Sequence, residues 1–288
     1  MRDALAMSAP AHIEDHTSAR FRSLIRDLTG INLVATKVSL IEQRLRRRVL
    51  AQGLPDTETY LRRLLDGSLG EGEVRTVVDL ITTNTTSFFR EPEHFTYLGG
   101  HILPDLLAAS GVGRPRVKIS SAASSEGAEA FSAAMVLAEA ERAGAAFDWG
   151  VLGTDISAGI LGRARQATYD RSQMQTVPQP LFKRYFMTST DPEFRDTVRV
   201  VPELRRRVRF HALNLMDPVY AVARDVSVIF LRNVLIYFDP SDKKKVVRRM
   251  RDHLAPGGFL IVGHAESMVV DCPGLVQIRP TIFRRVEP

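Results

Sequence analysis

Residues 227–239 read Ser-Val-Ile-Phe-Leu-Arg-Asn-Val-Leu-Ile-Tyr-Phe-Asp, and this stretch decides the fold. The apolar residues Val226, Val228, Ile229, Phe230 and Leu231 form a run of strand length, typical of a strand covered on both faces. The run ends abruptly at Arg232-Asn233, and Tyr237 lies inside a second apolar run. Ligands of open α/β sheets bind at the carboxyl ends of the strands, so these polar side chains are candidate ligand-facing groups. The alternative is that Arg232 and Asn233 only end the strand.

Helices and strands alternate around this run. Further strands are predicted at 116–120, 149–154 and 259–263, with helices at 126–142, 156–167 and 242–254. Such alternation favours an α/β fold with a doubly wound, mostly parallel sheet. Residues 169–210 break the alternation, and the short runs 198–201 and 208–210 predict an insertion with antiparallel strands. A late antiparallel pair is predicted within residues 275–286.

The N-terminal part of the chain carries helical patterns and no strand signal. We expect a flexible tail over residues 1–16, a helical domain over 17–81 and a linker loop over 82–92. The second domain is then expected over 93–288, with 169–210 as its inserted β subdomain. Within the helical domain, Gly30 is expected to end the first helix.

The composition is that of an ordinary globular protein, since 44% of the 288 residues are hydrophobic and 25% are charged. No apolar run reaches the roughly 18 residues of a membrane span, and the N-terminus lacks a secretory signal, so a cytoplasmic protein is expected. The single cysteine excludes an internal disulfide. No His/Cys spacing typical of zinc occurs, so no metal is expected.

The net charge of +6 favours acidic partners. On a predicted helix at 39–52, Arg44, Arg47 and Arg48 share one face while the apolar residues form the other. This basic face is a candidate docking surface. The alternative, a face that is merely solvated, is equally compatible with the pattern.

The segment 119–132 joins the first strand to its helix and is packed with small side chains. Small residues let a ligand approach the backbone, and the N–H groups at a helix start can meet negative charge. Asp155 closes the next strand, where an acidic residue can accept both hydroxyls of a ribose; the alternative role is a helix N-cap. Glu129, in the first helical turn, is either a ligand contact or a favourable partner of the helix dipole.

Two further segments carry polar groups suited to a ligand. Asn214 follows a short strand and can hydrogen-bond the edge of an adenine, although a turn residue is the alternative. The run 82–87 consists of small polar residues that compete with regular backbone hydrogen bonding, so we expect an ordered loop. It leads to Phe88-Phe89-Arg90, in which Arg90 offers a planar fork for a carboxylate.

These elements occur in a characteristic order. They are Asn84-x-Thr86-x-Phe88-Phe89-Arg90, the small-residue loop with Glu129, Gly153-Thr154-Asp155, Arg232-Asn233-Val234-x-Ile236-Tyr237-Phe238, and an ending from Pro256-Gly257-Gly258 to Gly263-His264-Ala265-Glu266-Ser267. From residue 17 to residue 286 the chain resembles the CheR family of chemotaxis receptor protein-glutamate O-methyltransferases.

The resemblance implies an all-α N-terminal domain followed by a Rossmann-like class I methyltransferase domain with a small inserted antiparallel β subdomain. It implies S-adenosylmethionine as cofactor and S-adenosylhomocysteine as product. The implied cofactor pocket is lined by Asn84, Thr86, Arg90, Glu129, Asp155, Asn214, Leu215, Leu231, Arg232 and Asn233. Arg90, Tyr237 and Arg232 are the implied catalytic residues.

The small-residue loop departs from the usual family pattern, Ser-Ala-Gly-Cys-Ser-Thr-Gly-Glu-Glu-Pro-Tyr-Ser. Ala123 stands at the first Gly position, and Glu126, Ala128 and Ala130 replace the Thr, the first Glu and the Pro. An alanine methyl is accommodated at position 123 only if that backbone position has a negative φ.

The implied acceptor is a glutamate on the cytoplasmic helical region of methyl-accepting chemoreceptors, docked by Arg44, Arg47 and Arg48. A glutamate is already ionised at neutral pH, which agrees with the absence of a histidine–carboxylate pair in these motifs. A nucleic-acid methyltransferase is less favoured, because residues 37–63 offer only Tyr60 as a stacking aromatic. A non-catalytic regulator that binds S-adenosylmethionine is the other alternative, and a monomer is expected.

Overall fold

The computed structural model describes residues 13–34, 38–82 and 86–286. The chain divides into two compact units, Met1–Thr83 and Asn84–Pro288. No helix in the described part of the chain is both long and apolar enough to span a bilayer.

The first unit consists of helices. They are α1 (Asp15–Thr29), α2 (Val38–Ala51), α3 (Thr57–Leu65) and α4 (Glu71–Ile81). Gly30 ends α1 in the left-handed conformation, with φ 73°, as the sequence predicts. Asp56 begins α3 by accepting a hydrogen bond from the Thr59 N–H, which satisfies one of the free donors of the first turn.

Two of the three arginines predicted on the outer face of α2 contact their own unit instead. Arg48 forms an ion pair with the buried Glu73 of α4, its Nε donating to Glu73 Oε1 at 2.6 Å. Arg44 donates to the carbonyl of Ile81 at the end of α4. The alternative of a merely solvated face therefore does not describe Arg44 and Arg48, which are only partly exposed, whereas Arg47 is exposed.

The second unit contains a mixed sheet and its covering helices. Its strands are β1 (Arg116–Ala122), β2 (Asp148–Asp155), β3 (Thr168–Asp170), β4 (Phe186–Thr188), β5 (Thr197–Val200), β6 (Val208–Ala212), β7 (Val226–Leu231), β8 (Leu254–Val262), β9 (Leu275–Arg279) and β10 (Ile282–Arg285). Its helices are α5 (Pro92–Tyr97), α6 (Leu103–Ala108), α7 (Ala128–Arg142), α8 (Ala158–Gln166), α9 (Gln179–Tyr185), α10 (Pro202–Arg207) and α11 (Pro240–His253).

The main sheet has the strand order β6-β2-β1-β7-β8-β10-β9 among the described residues. The first five of these strands run parallel, and β10 and β9 complete the sheet as the antiparallel pair predicted for 275–286. All six residues of β7 are buried, as expected of a strand covered on both faces. The predicted α/β class and the mostly parallel sheet are confirmed.

The small inserted sheet is antiparallel, with strand order β3-β5-β4. The assignment of 208–210 to this insertion is wrong, because β6 pairs in parallel with β2 at the edge of the main sheet. A short apolar run has the same alternation in either setting, so only the topology decides which sheet it joins.

Candidate active site

The register of the main sheet aligns the carboxyl ends of its parallel strands. Ala122 at the end of β1 is paired with Thr154 of β2 and with Leu231 of β7. Asp155 is paired with Ala212 at the end of β6. The structure therefore brings the small-residue loop, Asp155, Asn214 and Arg232 to one edge of the sheet, where the order of the strands switches direction around β1.

The loop after β1 is a tight turn in which left-handed residues predominate. The φ angles are 55° at Ala123, 52° at Ser125 and 87° at Gly127. The condition of a negative φ is therefore not met at Ala123, and the chain keeps the left-handed backbone typical of glycine with an alanine. Gly127 has no room for a side chain, because a Cβ there would lie 2.7 Å from the ring of Phe210. Small residues at this turn thus allow a close approach to the backbone.

Replacing Ala123 by glycine is expected to maintain or raise the stability of the second unit. In the folded state, glycine removes the strain of a left-handed alanine, which is about 1 kcal/mol. This gain offsets the roughly 0.5–1 kcal/mol by which the greater chain entropy of glycine favours the unfolded state. Ala130→Gly, inside α7, provides the control and should cost about 1 kcal/mol. Urea unfolding followed by the fluorescence of Trp149 measures both variants; equal losses would contradict the strain at Ala123.

Asp155 holds the loop after β1 against the start of α8. Its Oδ2 accepts the Ser125 N–H at 2.9 Å, and its Oδ1 accepts the Ser157 N–H at 3.0 Å. The N-cap of α8 is Ser157, whose hydroxyl accepts the Ile160 N–H, so the alternative role of Asp155 as the cap is wrong. An ionised carboxylate has about four acceptor positions, and ribose hydroxyls are donors of the kind that such oxygens accept.

Arg232 lies in a buried network of ion pairs. Its Nη1 is 3.0 Å from Glu129 Oε2, and its Nη2 is 3.1 Å from Glu91 Oε2. Nη2 also donates to the carbonyl of Arg90 at 2.5 Å, and the guanidinium lies over the ring of Phe95. Since its side chain is only 1% exposed, Arg232 tethers the segment around Arg90 to the sheet edge.

The pKa values of the two carboxyl groups beside Arg232 are shifted in opposite directions. Burial raises the pKa of Glu129, and the attraction of Arg232 and a hydrogen bond from Ser121 only partly oppose it. Burial also pushes the pKa of Glu91 upward, but Arg232 together with His94 and His264 outweighs burial there, and the net shift is downward. The charged form of Glu129 is therefore disfavoured on balance, whereas that of Glu91 is favoured.

Glu266 is a site residue that sequence reasoning missed. Its buried carboxylate accepts three backbone N–H groups, from Asn233 at 2.7 Å, Leu235 at 2.7 Å and Gly263 at 2.9 Å. These bonds hold the turn that follows β7, on which the half-buried Tyr237 lies. An acid three residues after Gly263 was the available signal, because this spacing is that of a capping box.

The remaining residues of the predicted cofactor pocket differ in how far they are buried. Asn214 is half-buried, and its Oδ1 accepts the Met216 N–H at 3.0 Å, so it also serves as a turn residue. Leu215 and Leu231 are buried, Thr86 is half-buried and Arg90 is exposed. Asn84 lies outside the described residues.

Glu91 is the second missed residue, and it brings histidines to the site. His94 Nδ1 and His264 Nδ1 each lie 3.4 Å from Glu91 Oε2. Glu91 thus pairs with two histidines, of which only His264 lies in one of the quoted motifs. Burial, aided by the charge of Arg232, lowers the pKa of His94 to about 4, so its imidazole is neutral at pH 7.

The residues at this edge suit a sulfonium nucleoside that carries an amino acid moiety. Asp155 and Asn214 offer acceptors for ribose and a partner for adenine, and the left-handed loop exposes backbone beside them. Two buried polar atoms, Ser124 Oγ and Arg232 Nε, have no hydrogen-bond partner among the described residues. Buried polar groups are normally paired, so these atoms indicate an edge built to receive a polar ligand.

Comparison with known proteins agrees with this geometry. The model of the CheR methyltransferase SAM-binding domain matches residues 84–281, and that of the CheR all-alpha domain matches 17–82. Chemotaxis protein methyltransferase 2 of Pseudomonas aeruginosa is 37% identical over 89% of this chain and 87% of its own length. The chemotaxis protein methyltransferase of Salmonella typhimurium is 36% identical over 91% of this chain and 88% of its own.

Among solved structures, the DszA carbon methyltransferase matches 86% of this chain and 51% of its own, at 16% identity and a TM-score of 0.37. That likeness is remote, whereas the family models together span both units of the chain. The polar residues at the sheet edge and the two matched domains lead to one conclusion: the chain belongs to the CheR methyltransferase family and is an S-adenosylmethionine-dependent methyltransferase of chemotaxis.

Proposed function

We propose that the protein methylates glutamate side chains in the cytoplasmic helical region of chemoreceptors, giving glutamate methyl esters. The observation that carries the proposal is the shared sheet edge of Asp155, the loop after β1, Arg232 and the Tyr237 turn. The kinship with chemotaxis protein methyltransferases of two organisms supports the acceptor class.

The acceptor chemistry makes modest demands on the chain. A glutamate carboxylate, with a pKa of about 4.3, is ionised at neutral pH and needs no general base. S-adenosylmethionine, when bound, supplies a methyl group activated by the sulfonium. The protein's own task is to align the acceptor oxygen and to exclude water from it.

The residues divide into those that contact the acceptor and those that hold the site. We assign Tyr237 to hold the acceptor by a hydrogen bond, and the exposed Arg90 to orient a carboxylate. Arg232 is a positioning residue, because its guanidinium already contacts Glu129, Glu91 and the Arg90 carbonyl. A strong bidentate grip on the acceptor would weaken it as a nucleophile, so this inward orientation of Arg232 favours reaction.

Replacing Tyr237 by phenylalanine is expected to lower turnover about 10- to 100-fold, because one hydrogen bond of roughly 1–3 kcal/mol is lost in the transition state. Affinity for S-adenosylhomocysteine should change less than twofold. Single-turnover methyl transfer and calorimetry measure the two effects separately. Tyr97→Phe, on α5, is the control; loss of cofactor affinity in parallel with turnover would contradict the assignment of Tyr237.

The acceptor itself is tested with tritiated S-adenosylmethionine and receptor-containing membranes. Carboxyl methyl esters release their label in base, whereas methylated amines do not. We expect base-labile label on the receptor and none on a receptor whose candidate glutamates are replaced by alanine. Label that survives base, or that enters added nucleic acid, would overturn the proposal.

We further propose that the exposed Arg47 of α2 contributes to docking of the acidic receptor helix. Arg44 and Arg48 are tied to α4, which leaves Arg47 as the exposed member of the predicted docking face. Arg47→Glu should slow receptor methylation several-fold at low salt and less at high salt, because exposed charges are screened. Arg63→Glu, exposed on α3, is the control. An Arg47→Glu rate equal to that of the native protein at low salt would exclude this role.

A further inference from the structure

Four metal-ligating side chains meet beside the methyl-transfer site. Glu91, Glu93 and His94 come from the start of α5, and His264 comes from the segment after β8. Each residue contributes one ligand atom, and these four atoms all lie within 4.8 Å of one another. Among the described residues, this is the group of His, Cys, Asp or Glu side chains that could hold a metal ion. The methyltransferase reaction assigned above uses none of the imidazoles.

The distances within the cluster are those between ligands of a tetrahedral ion. Glu91 Oε2 is 3.4 Å from His94 Nδ1 and 3.4 Å from His264 Nδ1. Zinc bonds of about 2.0–2.1 Å in tetrahedral geometry place neighbouring ligand atoms about 3.3 Å apart. Both distances from Glu91 Oε2 to an imidazole nitrogen therefore match the spacing of neighbouring ligands in a tetrahedral shell, and the ligand atoms of the cluster all lie within 4.8 Å of one another.

The far nitrogens of both histidines are held by oxygen atoms. His94 Nε2 is 2.7 Å from Thr281 Oγ1, and His264 Nε2 is 3.1 Å from Glu93 Oε1. An imidazole that donates its Nε2–H to such a partner presents a lone pair at Nδ1. Metal-binding histidines almost always have an outer partner of this kind, a carboxylate among the commonest. In the tautomer with the proton on Nε2, each Nδ1 presents its lone pair toward Glu91, which is the form that binds a metal.

Two atoms at the centre of the cluster have no hydrogen-bond partner among the described residues. They are His94 Nδ1 and Glu91 Oε2, and the His94 side chain is only 1% exposed. Arg232 opposes a cation here, since its Nη2 is 3.1 Å from Glu91 Oε2. Glu91 and Glu93 supply the two carboxylates of the cluster, and the other guanidinium that lines the adjoining cavity, that of Arg279, lies over the ring of Tyr97.

We propose that Glu91, His94 and His264 form a binding site for one divalent transition-metal ion of the zinc class, with Glu93 as the outer partner of His264. Imidazole ligands select such ions over Mg²⁺ and Ca²⁺, which require oxygen ligands. A cavity of about 460 Å³, lined by Glu93, His94, His264 and Thr281, supplies the entry path and room for a water ligand.

The test uses the full-length protein, purified without a polyhistidine tag and stripped of metal by a chelating resin. Zn²⁺ is titrated in competition with a chromophoric chelator, and Co²⁺ is added separately as a spectroscopic probe. We expect one equivalent of Zn²⁺ and a visible Co²⁺ absorption typical of tetrahedral coordination, unchanged by millimolar Mg²⁺. Binding below one equivalent, or a Co²⁺ spectrum of octahedral type, would overturn the proposal.

Variants locate the ion. His264→Ala is expected to weaken Zn²⁺ binding by more than about tenfold and Glu93→Gln by about tenfold, the usual cost of losing an outer partner. His101→Ala is the matched control, because His101 lines the same cavity but stacks on Tyr97 instead. His264 is exposed, so its replacement does not threaten folding as that of the buried His94 would. Native affinity in His264→Ala, or equal weakening in His101→Ala, would refute the assigned ligands.

Discussion

Replacing Arg232 by methionine is expected to lower the free energy of unfolding of the second unit by about 3–5 kcal/mol. The substitution leaves Glu129 and Glu91 at the sheet edge without the guanidinium that lies 3.0 Å and 3.1 Å from their oxygens. An unpaired buried charge costs more than the ion pair itself contributes, because the group has lost its water. Lysine should rescue little, since a single ammonium does not replace a planar fork that reaches three acceptors.

Trp149 provides the measurement, because it is the only tryptophan of the chain and lies on β2. Urea unfolding followed by its fluorescence reports on the second unit. Arg184→Met is the control: its partner Glu139 is at 2.6 Å, but the arginine is 35% exposed, so less than about 1 kcal/mol should be lost. If both variants lost a similar free energy of unfolding, burial would not explain the contribution of the Arg232 ion pairs to stability.

The loss in Arg232→Met should diminish in acid. Glu91 has a lowered pKa in the native protein, so its pairing stabilises the fold above the unfolded pKa and less as the pH falls through the lowered value. Glu129 has a raised pKa and takes up a proton more readily still when Arg232 is absent. Both effects reduce the difference between the two proteins toward low pH, which unfolding curves at pH 7 and near pH 4.5 would test.

Asp155→Asn is expected to weaken binding of S-adenosylhomocysteine by about 100-fold or more. The charged carboxylate accepts two backbone N–H groups and, in the assigned role, the ribose hydroxyls. An asparagine replaces one acceptor oxygen by an NH₂ donor, which would face a backbone N–H group. One hydrogen bond to the backbone is then lost, as well as hydrogen bonds to the ligand. Charge-assisted hydrogen bonds contribute roughly 1.5–3 kcal/mol each, and losing one or two accounts for this factor.

Calorimetry measures the affinity of Asp155→Asn, and its unfolding curve shows how much of the loss comes from the loop. Asp170→Asn is the matched control, because Asp170 accepts the Ser172 N–H at 2.8 Å in a similar turn, on the exposed inserted sheet. We expect native affinity for that variant. Tight binding by Asp155→Asn would exclude Asp155 as a ribose ligand and leave it a purely structural residue.

Much of the fold is predictable because the strands of a buried parallel sheet are continuous apolar runs. The limits of β7 match the sequence expectation at 226–231, since polar residues follow the run directly. The error at β6 has a different origin. The sequence of Val208–Ala212 does not show whether the strand pairs in parallel or antiparallel. Its partner β2 ends more than fifty residues earlier in the chain, before the inserted sheet. Pairing over that separation is decided by topology and burial, which local periodicity does not encode.

The sequence identified Asp155, Glu129 and Arg232 by type and position, but it did not reveal their partners, and Glu91 and Glu266 were missed. Ala123 shows this for the backbone, because the surrounding loop imposes a φ of 55° that alanine by itself disfavours. Glu266 shows it for side chains: its carboxylate binds the turn after β7, which lies far from it in sequence.

From its sequence alone, this protein was determined to be an α/β methyltransferase whose ligand-bearing groups follow the ends of successive strands. Only the tertiary structure decided that Arg232 faces the carboxylates of its own chain and that His94 meets His264 around Glu91. The reason is physical: periodicity in sequence specifies which face of an element is buried. Which distant charges then share that burial depends on strand order and register, where a displacement of one residue turns every side chain to the opposite face.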